Sequence, residues 1–245
     1  MRTLIAIILS LILFNIANSR NVVIGDSISA GAFSEYDHKK NLVAQAQNVA
    51  LISELLKFPF FKEQAVNNKR HSWFTYLMKM MNEEGINNAK SSATINQLDA
   101  QLNFLRADRI FIMAGSNNIC FNESYNGLDR LIRKAKTKSD NVYIFDVPNL
   151  SLLKKNFSKY SSCKTVWNTL KPYCEHVLNK NSPLSRLRNS FLNDHIENMA
   201  KKHNINYMPI FKNEKHDIEN MSFDCFHPNK RGQKLIANKI YKMLQ

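Results

Sequence analysis

The chain has 245 residues, 44% of them hydrophobic and 22% charged. That is enough apolar material for a packed core and excludes a wholly disordered chain. Lys and Arg number 34 against 20 Asp and Glu, a formal charge of +14, which favours anionic partners. Only six glycines occur, so glycine-rich repeats and flexible Gly/Ser linkers are excluded.

Residues 1–19 read as an export signal. Arg2 gives a positive start, Leu4 to Ile16 is apolar apart from Ser10 and Asn15, and Ala17-Asn18-Ser19 offers small residues for a signal peptidase. The run is shorter than the ~20 residues that span a bilayer. Cleavage near Ser19 is therefore expected, leaving one domain over residues 20–245 of a secreted or periplasmic protein. In that setting four cysteines imply up to two disulfides. Cys163 and Cys174 are close enough in sequence to close a local loop, and Cys120 and Cys225 each adjoin a motif described below. All three pairings stay open.

Past the leader, β-rich runs alternate with helical ones. Asn21 to Ile24 is a strand leading into Gly25, and residues 42–57 carry a helical pattern. Ser72 caps a helix expected to reach Glu84 and stop at Gly85. Ile86 to Ala89 is a weak strand, Ile95 to Leu105 an amphipathic helix, and Arg109 to Met113 a buried strand ending at Gly115. Leu128, Leu131, Ile132 and Ala135 share one helical face. Val142 to Val147 is a strand stopped by Pro148, and residues 150–181 are irregular. Ser182-Pro183 opens a helix to Lys202, Asn206 to Pro209 is a short strand, and Asn229 caps a last helix to Leu244. This alternation predicts a three-layer α/β/α fold around a parallel sheet of about five strands.

In such a sheet, chemistry sits beyond the carboxyl ends of the strands. Three strand ends carry suggestive residues. Gly25-Asp26-Ser27 places a serine on a tight turn, its hydroxyl exposed and its own N–H facing any oxyanion formed by attack, with a helix N-terminus expected to help. The spacing is not GxSxG. Gly115-Ser116-Asn117-Asn118 offers a side-chain amide as a further oxyanion donor. Asp224-Cys225-Phe226-His227 sets a carboxylate three residues before a histidine, within reach of Nδ1 in a turn. Each piece alone is weak, because serine also caps helices, asparagine forms turns and most histidines are structural. Their order and placement together point to a serine hydrolase.

The three pieces resemble the GDSL or SGNH hydrolases, a flavodoxin-like group of serine esterases and lipases, over most of the chain. The resemblance implies Ser27 as nucleophile, His227 as base and Asp224 as its orienting partner, with Asn117 as an oxyanion donor and no metal or organic cofactor. The absence of CxxC and HExxH gives no support to a zinc or dithiol site. Phospholipase B-type members are the best likeness. Asn87 to Thr94, with Leu98 and Gln101, is similar to their second block, and Cys120, Val147-Pro148-Asn149 and Asp224 to His227 look like theirs too. Two positions depart from the family pattern. Ser92 stands where a glycine normally completes the oxyanion hole of Ser27 and Asn117, and a positive φ there would cost serine ~1–2 kcal/mol. Asn118 stands where an aspartate is usual.

The expected substrate is an ester, with phospholipids or lysophospholipids favoured by the positive surface, which also suits peripheral contact with an anionic membrane. Phe58, Phe60, Phe61, Trp73 and Phe74 either form an acyl-binding lip or fill the core. Lys154, Lys155, Lys159 and Lys164 either flank the mouth or belong to a solvated loop. The rival substrate is a short acyl ester of a carbohydrate. A non-catalytic basic binding protein is the other class, against which the charge is dispersed and no nucleic-acid-reading module is present.

Overall fold

The computed structural model describes residues 18–35, 68–150, 184–212, 217–222 and 225–245. Five strands form one parallel sheet in the order β2-β1-β3-β4-β5. They are β1 (Asn18–Gly25), β2 (Ile86–Asn87), β3 (Arg106–Met113), β4 (Asn141–Phe145) and β5 (Asn206–Met208). The helices are α1 (Trp73–Met81), α2 (Ser116–Cys120), α3 (Leu128–Lys136), α4 (Leu184–His203) and α5 (Lys230–Leu244). This is the expected α/β architecture. The strand order reverses between β1 and β3, the switch point at whose carboxyl ends such sheets place their sites.

Strand alternation sorts the core into two layers. Val22, Ile24, Ile110, Ile112, Val142 and Ile144 face α3, α4 and the turn 95–102. Val23, Phe111, Met113 and Phe145 face α1 and α5. The second layer is aromatic, with Trp73 edge-on to Phe145 at 5.4 Å and Phe111 stacked on Tyr143 at 5.2 Å. Trp73 and Phe74 are 0% and 1% exposed. They are therefore core residues and not an acyl-binding lip. Phe58, Phe60, Phe61, Lys154, Lys155, Lys159 and Lys164, and the helical pattern of 42–57, lie outside the described residues.

Three elements differ from expectation. Ile95–Leu102 is a 3₁₀ helix, not an α-helix. With three residues per turn, Ile95, Leu98 and Gln101 fall on one line and are all buried. Leu105, 72% exposed, lies beyond its end. Helix α1 has Ser72 as N-cap, its Oγ accepting from Thr75 N–H at 3.3 Å. It stops at Asn82, whose φ of 54° makes the left-handed cap, so Gly85 is not its terminator. Gly85 is small for a different reason, since a Cβ would come within 2.4 Å of the Phe74 ring. Strand β1 starts earlier than expected. Asn18 and Ser19 pair with Arg106 and Ala107, so the cleavage expected near Ser19 falls inside β1, before its buried stretch from Asn21.

Asn229 caps α5 as expected, its Oδ1 accepting from Arg231 and Gly232 N–H at 3.0 Å each. Its Nδ2 donates to Glu219 and Met221 carbonyls, which ties the chain before His227 to the helix after it. Cys120 and Cys225 are buried in the same cluster, and no cysteine among the described residues is free. Cys163 and Cys174 lie outside the described residues.

Candidate active site

The site is built from the last residues of β1. Gly25 lies so close to β3 that a Cβ would sit 2.2 Å from the Met113 carbonyl oxygen. The Gln101 side chain clamps it, Oε1 accepting from Gly25 N–H at 2.8 Å and Nε2 donating to Gly25 O at 3.0 Å. Lys90 N–H donates to the same carbonyl, which brings the segment after β2 alongside. Asp26 follows, 1% exposed. Its carboxylate accepts from Ile28 N–H at 3.0 Å and from the Gly115 N–H, joining the β1 turn to the end of β3. Burial pushes its pKa up to about 6, opposed by those N–H bonds and the nearby His227 charge.

Ser27 comes next, and its Oγ lies 2.7 Å from Nε2 of His227. For Nε2 to accept the serine proton, Nδ1 must carry the ring hydrogen. The residues after Ser27 form hydrogen-bonded turns, Ala30 N–H to Asp26 O and Ala32 N–H to Ser27 O at 2.9 Å each. The helix N-terminus expected at Ser27 is thus absent among the described residues. Gly31, at φ 68°, passes so close to Asn68 that a Cβ would meet its carbonyl oxygen at 2.4 Å. His227 stands between two rings, Phe33 at 5.4 Å and Phe226 at 4.8 Å. Phe33 itself has a φ of 55°, a strained conformation for a bulky residue. Asp224 lies outside the described residues.

Ser92 has a φ of 63°, the left-handed conformation expected where glycine is usual. Asn117 lies in the first turn of α2, 8% exposed, and its Nδ2 donates to the carbonyl of Ala93 at 2.9 Å. One amide hydrogen thus fixes Asn117 to the Ser92 turn, and the same nitrogen carries a second. Asn118 is a structural bridge, with Oδ1 accepting from Ile95 N–H and Nδ2 donating to Ser124 O, both at 2.9 Å. An aspartate there could accept the first bond but never donate the second.

Bonds between neighbours therefore gather the Ser27, Ser92 and Asn117 segments at one edge of the sheet, with His227 on the serine. Two supporting side chains were not assigned roles from sequence. Gln101 holds Gly25, and Gln233 bridges Trp73 N–H (2.8 Å) and Ile28 O (3.1 Å). Both are amides on otherwise apolar helical stripes, Gln101 with Ile95 and Leu98, Gln233 with Ile236, Ala237 and Ile240. A polar residue on a buried stripe is the signal that marks them.

A parallel α/β sheet with a Ser–His pair at the β1 end defines a class of acyl-transferring hydrolases. Residues 22–240 match the family model of the GDSL-like lipase/acylhydrolases. The chain belongs to that family, whose chemistry is ester hydrolysis. No curated protein matches the chain. Among solved structures it is similar to a lipolytic G-D-S-L family protein from Veillonella parvula (TM-score 0.52, 14% identity, covering 91% of this chain and 96% of that one). It is also similar to an acetylxylan esterase from Geobacillus stearothermophilus (0.54, 13%, 91% and 92%), and to a family 3 carbohydrate esterase from Clostridium thermocellum (0.50, 14%, 92% and 94%). At these identities the likeness is one of fold.

Proposed function

We propose that the chain is an exported serine ester hydrolase that releases fatty acids from phospholipids or lysophospholipids. The observation that carries the catalytic part is the 2.7 Å contact between Ser27 Oγ and His227 Nε2. His227 takes the Ser27 proton as Oγ attacks the ester carbonyl, forming the C–O bond of a tetrahedral intermediate. The N–H groups of Ser27 and Ser92 and the amide of Asn117 hold its oxyanion. The imidazolium, oriented by Asp224, returns the proton to the departing alcohol, and water repeats the cycle on the acyl-enzyme. The catalytic domain comprises residues 20–245, and cleavage near Ser19 leaves the buried stretch of β1 intact. Export suits a disulfide framework through the four cysteines. The positive charge supports contact with an anionic lipid surface, and the phospholipase B-type likeness of the sequence blocks supports the lipid substrate.

A second reading is removal of acetyl groups from a carbohydrate, favoured by the acetylxylan and carbohydrate esterases among the similar folds. The test is fatty-acid release from mixed phospholipid and lysophospholipid vesicles, with Ser27→Ala alongside. Release that vanishes in the variant supports the lipid reading. No release, with acetylated xylan cleaved instead, supports the second. Cleavage of neither ester by the folded protein overturns both.

A further inference from the structure

Six residues other than glycine have a left-handed φ among the described residues: Phe33, Asn82, Ser92, Asn122, Asn204 and Cys225. Three are asparagines, whose short polar side chain tolerates that conformation. Asn82 and Asn204 follow the ends of α1 and α4, where such caps are usual. The other three gather at the candidate site. Ser92 lies in the oxyanion segment, Cys225 stands two residues before His227, and the Phe33 ring is 5.4 Å from the imidazole. Strain that the residue type does not relieve persists only where the surroundings impose it, and it clusters at functional positions. Phe33 is the bulkiest of the three. Its backbone is held on both sides, Ala32 N–H donating to Ser27 O at 2.9 Å and Ser34 N–H to Gly31 O at 3.2 Å. Ala32 and Ser34 are both fully buried. The Phe33 ring is half-buried and belongs to neither core layer, whereas Phe226, the other ring against the imidazole, packs on the first. Filling the core therefore does not account for a strained phenylalanine here. The bond to Ser27 fixes one atom of the imidazole, Nε2, and packing against the ring fixes its tilt.

We propose that Phe33 is a positioning residue for the base, its ring holding the His227 imidazole so that Nε2 stays on Ser27 Oγ. The inference rests on the ester-hydrolase reading and deepens it. His227 acts in both acylation and deacylation, so a misdirected imidazole weakens the transition states and not substrate binding. Kinetics on p-nitrophenyl acetate test the proposal in the wild type, Phe33→Gly, Phe33→Asn, Phe33→Tyr and Ser27→Ala, each measured well below its thermal midpoint. Phe33→Gly removes the ring and accepts the left-handed φ without strain. Its kcat is expected to fall about tenfold or more while KM stays within about twofold. Phe33→Asn also suits that φ, gives the same loss, and serves if the glycine variant does not fold. Phe33→Tyr keeps a ring in place and restores most of kcat. An unchanged kcat in the folded glycine or asparagine variant, a loss confined to KM, or an equal loss in Phe33→Tyr overturns the positioning role and leaves the ester hydrolase standing. Hydrolysis that persists in Ser27→Ala, or no cleavage by the wild type, overturns the catalytic reading itself.

Discussion

The carboxyl ends of β1 and β4 are built alike and differ in one respect. Each ends in a buried aspartate, Asp26 at 1% exposure and Asp146 at 2%. Each has a neighbouring backbone unit clamped on both its N–H and its carbonyl by one amide side chain. Gln101 holds Gly25, and Asn193 holds Val147 at 2.8 and 3.1 Å. Both carboxylates accept backbone N–H groups from an adjoining segment, Asp146 taking Phe211 N–H on both oxygens at 2.9 and 3.1 Å. Burial raises both, Asp26 to about 6 and Asp146 to about 7. Only the β1 end continues into a hydroxyl that an imidazole reaches. Buried carboxylate and amide clamp are thus shared by a strand end that carries the nucleophile and one that does not, and a raised carboxyl pKa is no mark of chemistry here. Reactivity comes from Ser27 and His227 added to a common scaffold.

The comparison breaks most sharply at the hydroxyl. Ser27→Ala is expected to lower kcat/KM for ester hydrolysis by about 10⁴-fold or more while leaving the thermal midpoint nearly unchanged. Activity within tenfold of wild type would remove Ser27 from the chemistry. The two clamps give the next largest effect. Asn193→Leu leaves a buried N–H and carbonyl unpaired, and Gln101→Leu leaves the Gly25 N–H unpaired while its carbonyl keeps the Lys90 N–H. Each should therefore lose roughly 1–4 kcal/mol by denaturant unfolding, Asn193→Leu the more. Gln101→Leu alone should also depress kcat/KM, measured well below its midpoint, because it releases the turn that carries Ser27. Equal losses of activity in the two variants would mean that the clamp on Gly25 does not position the nucleophile.

The carboxylates supply a pH-dependent test. In the folded protein Asp146 titrates at about 7, above its ordinary value of 3.8. Between those pH values the folded state therefore keeps a proton that the unfolded state has released. The contribution is present in full below about pH 4 and lost as pH rises through 7. Thermal melts from pH 4.5 to 8 should show wild type losing on the order of 2 kcal/mol more than Asp146→Asn. Asp26→Asn should show the same sign over the narrower window that ends near 6. Parallel curves for wild type and Asp146→Asn would contradict the burial of that carboxyl. The smallest effect is expected at Ser92. Replacing it by glycine removes the cost of a φ of 63° and should gain about 0.5–1 kcal/mol, with no loss of kcat. A loss of kcat would assign the Ser92 side chain a part in the reaction.

Much of this was legible in the chain. The runs at Asn21 to Ile24, Arg109 to Met113 and Val142 to Val147 read as strands because a parallel strand covered on both faces is apolar along nearly all its length. Asn229 and Ser72 read as caps because a free helix N-terminus needs a side-chain acceptor. Ser27 and His227 stood out through local motifs at strand ends, and the structure joins them across 200 positions. Where Ile95 to Leu102 coils was not legible, since spacings of three and four residues overlap over so short a run. Trp73 and Phe74 suited a core better than a lip without excluding either. Their place is decided by the packing of α1 on α5 and the sheet, and so are the clamping by Gln101 and the bridging by Gln233. These depend on which segments meet, and such meetings come from long-range packing, not from the order of residues along any one segment.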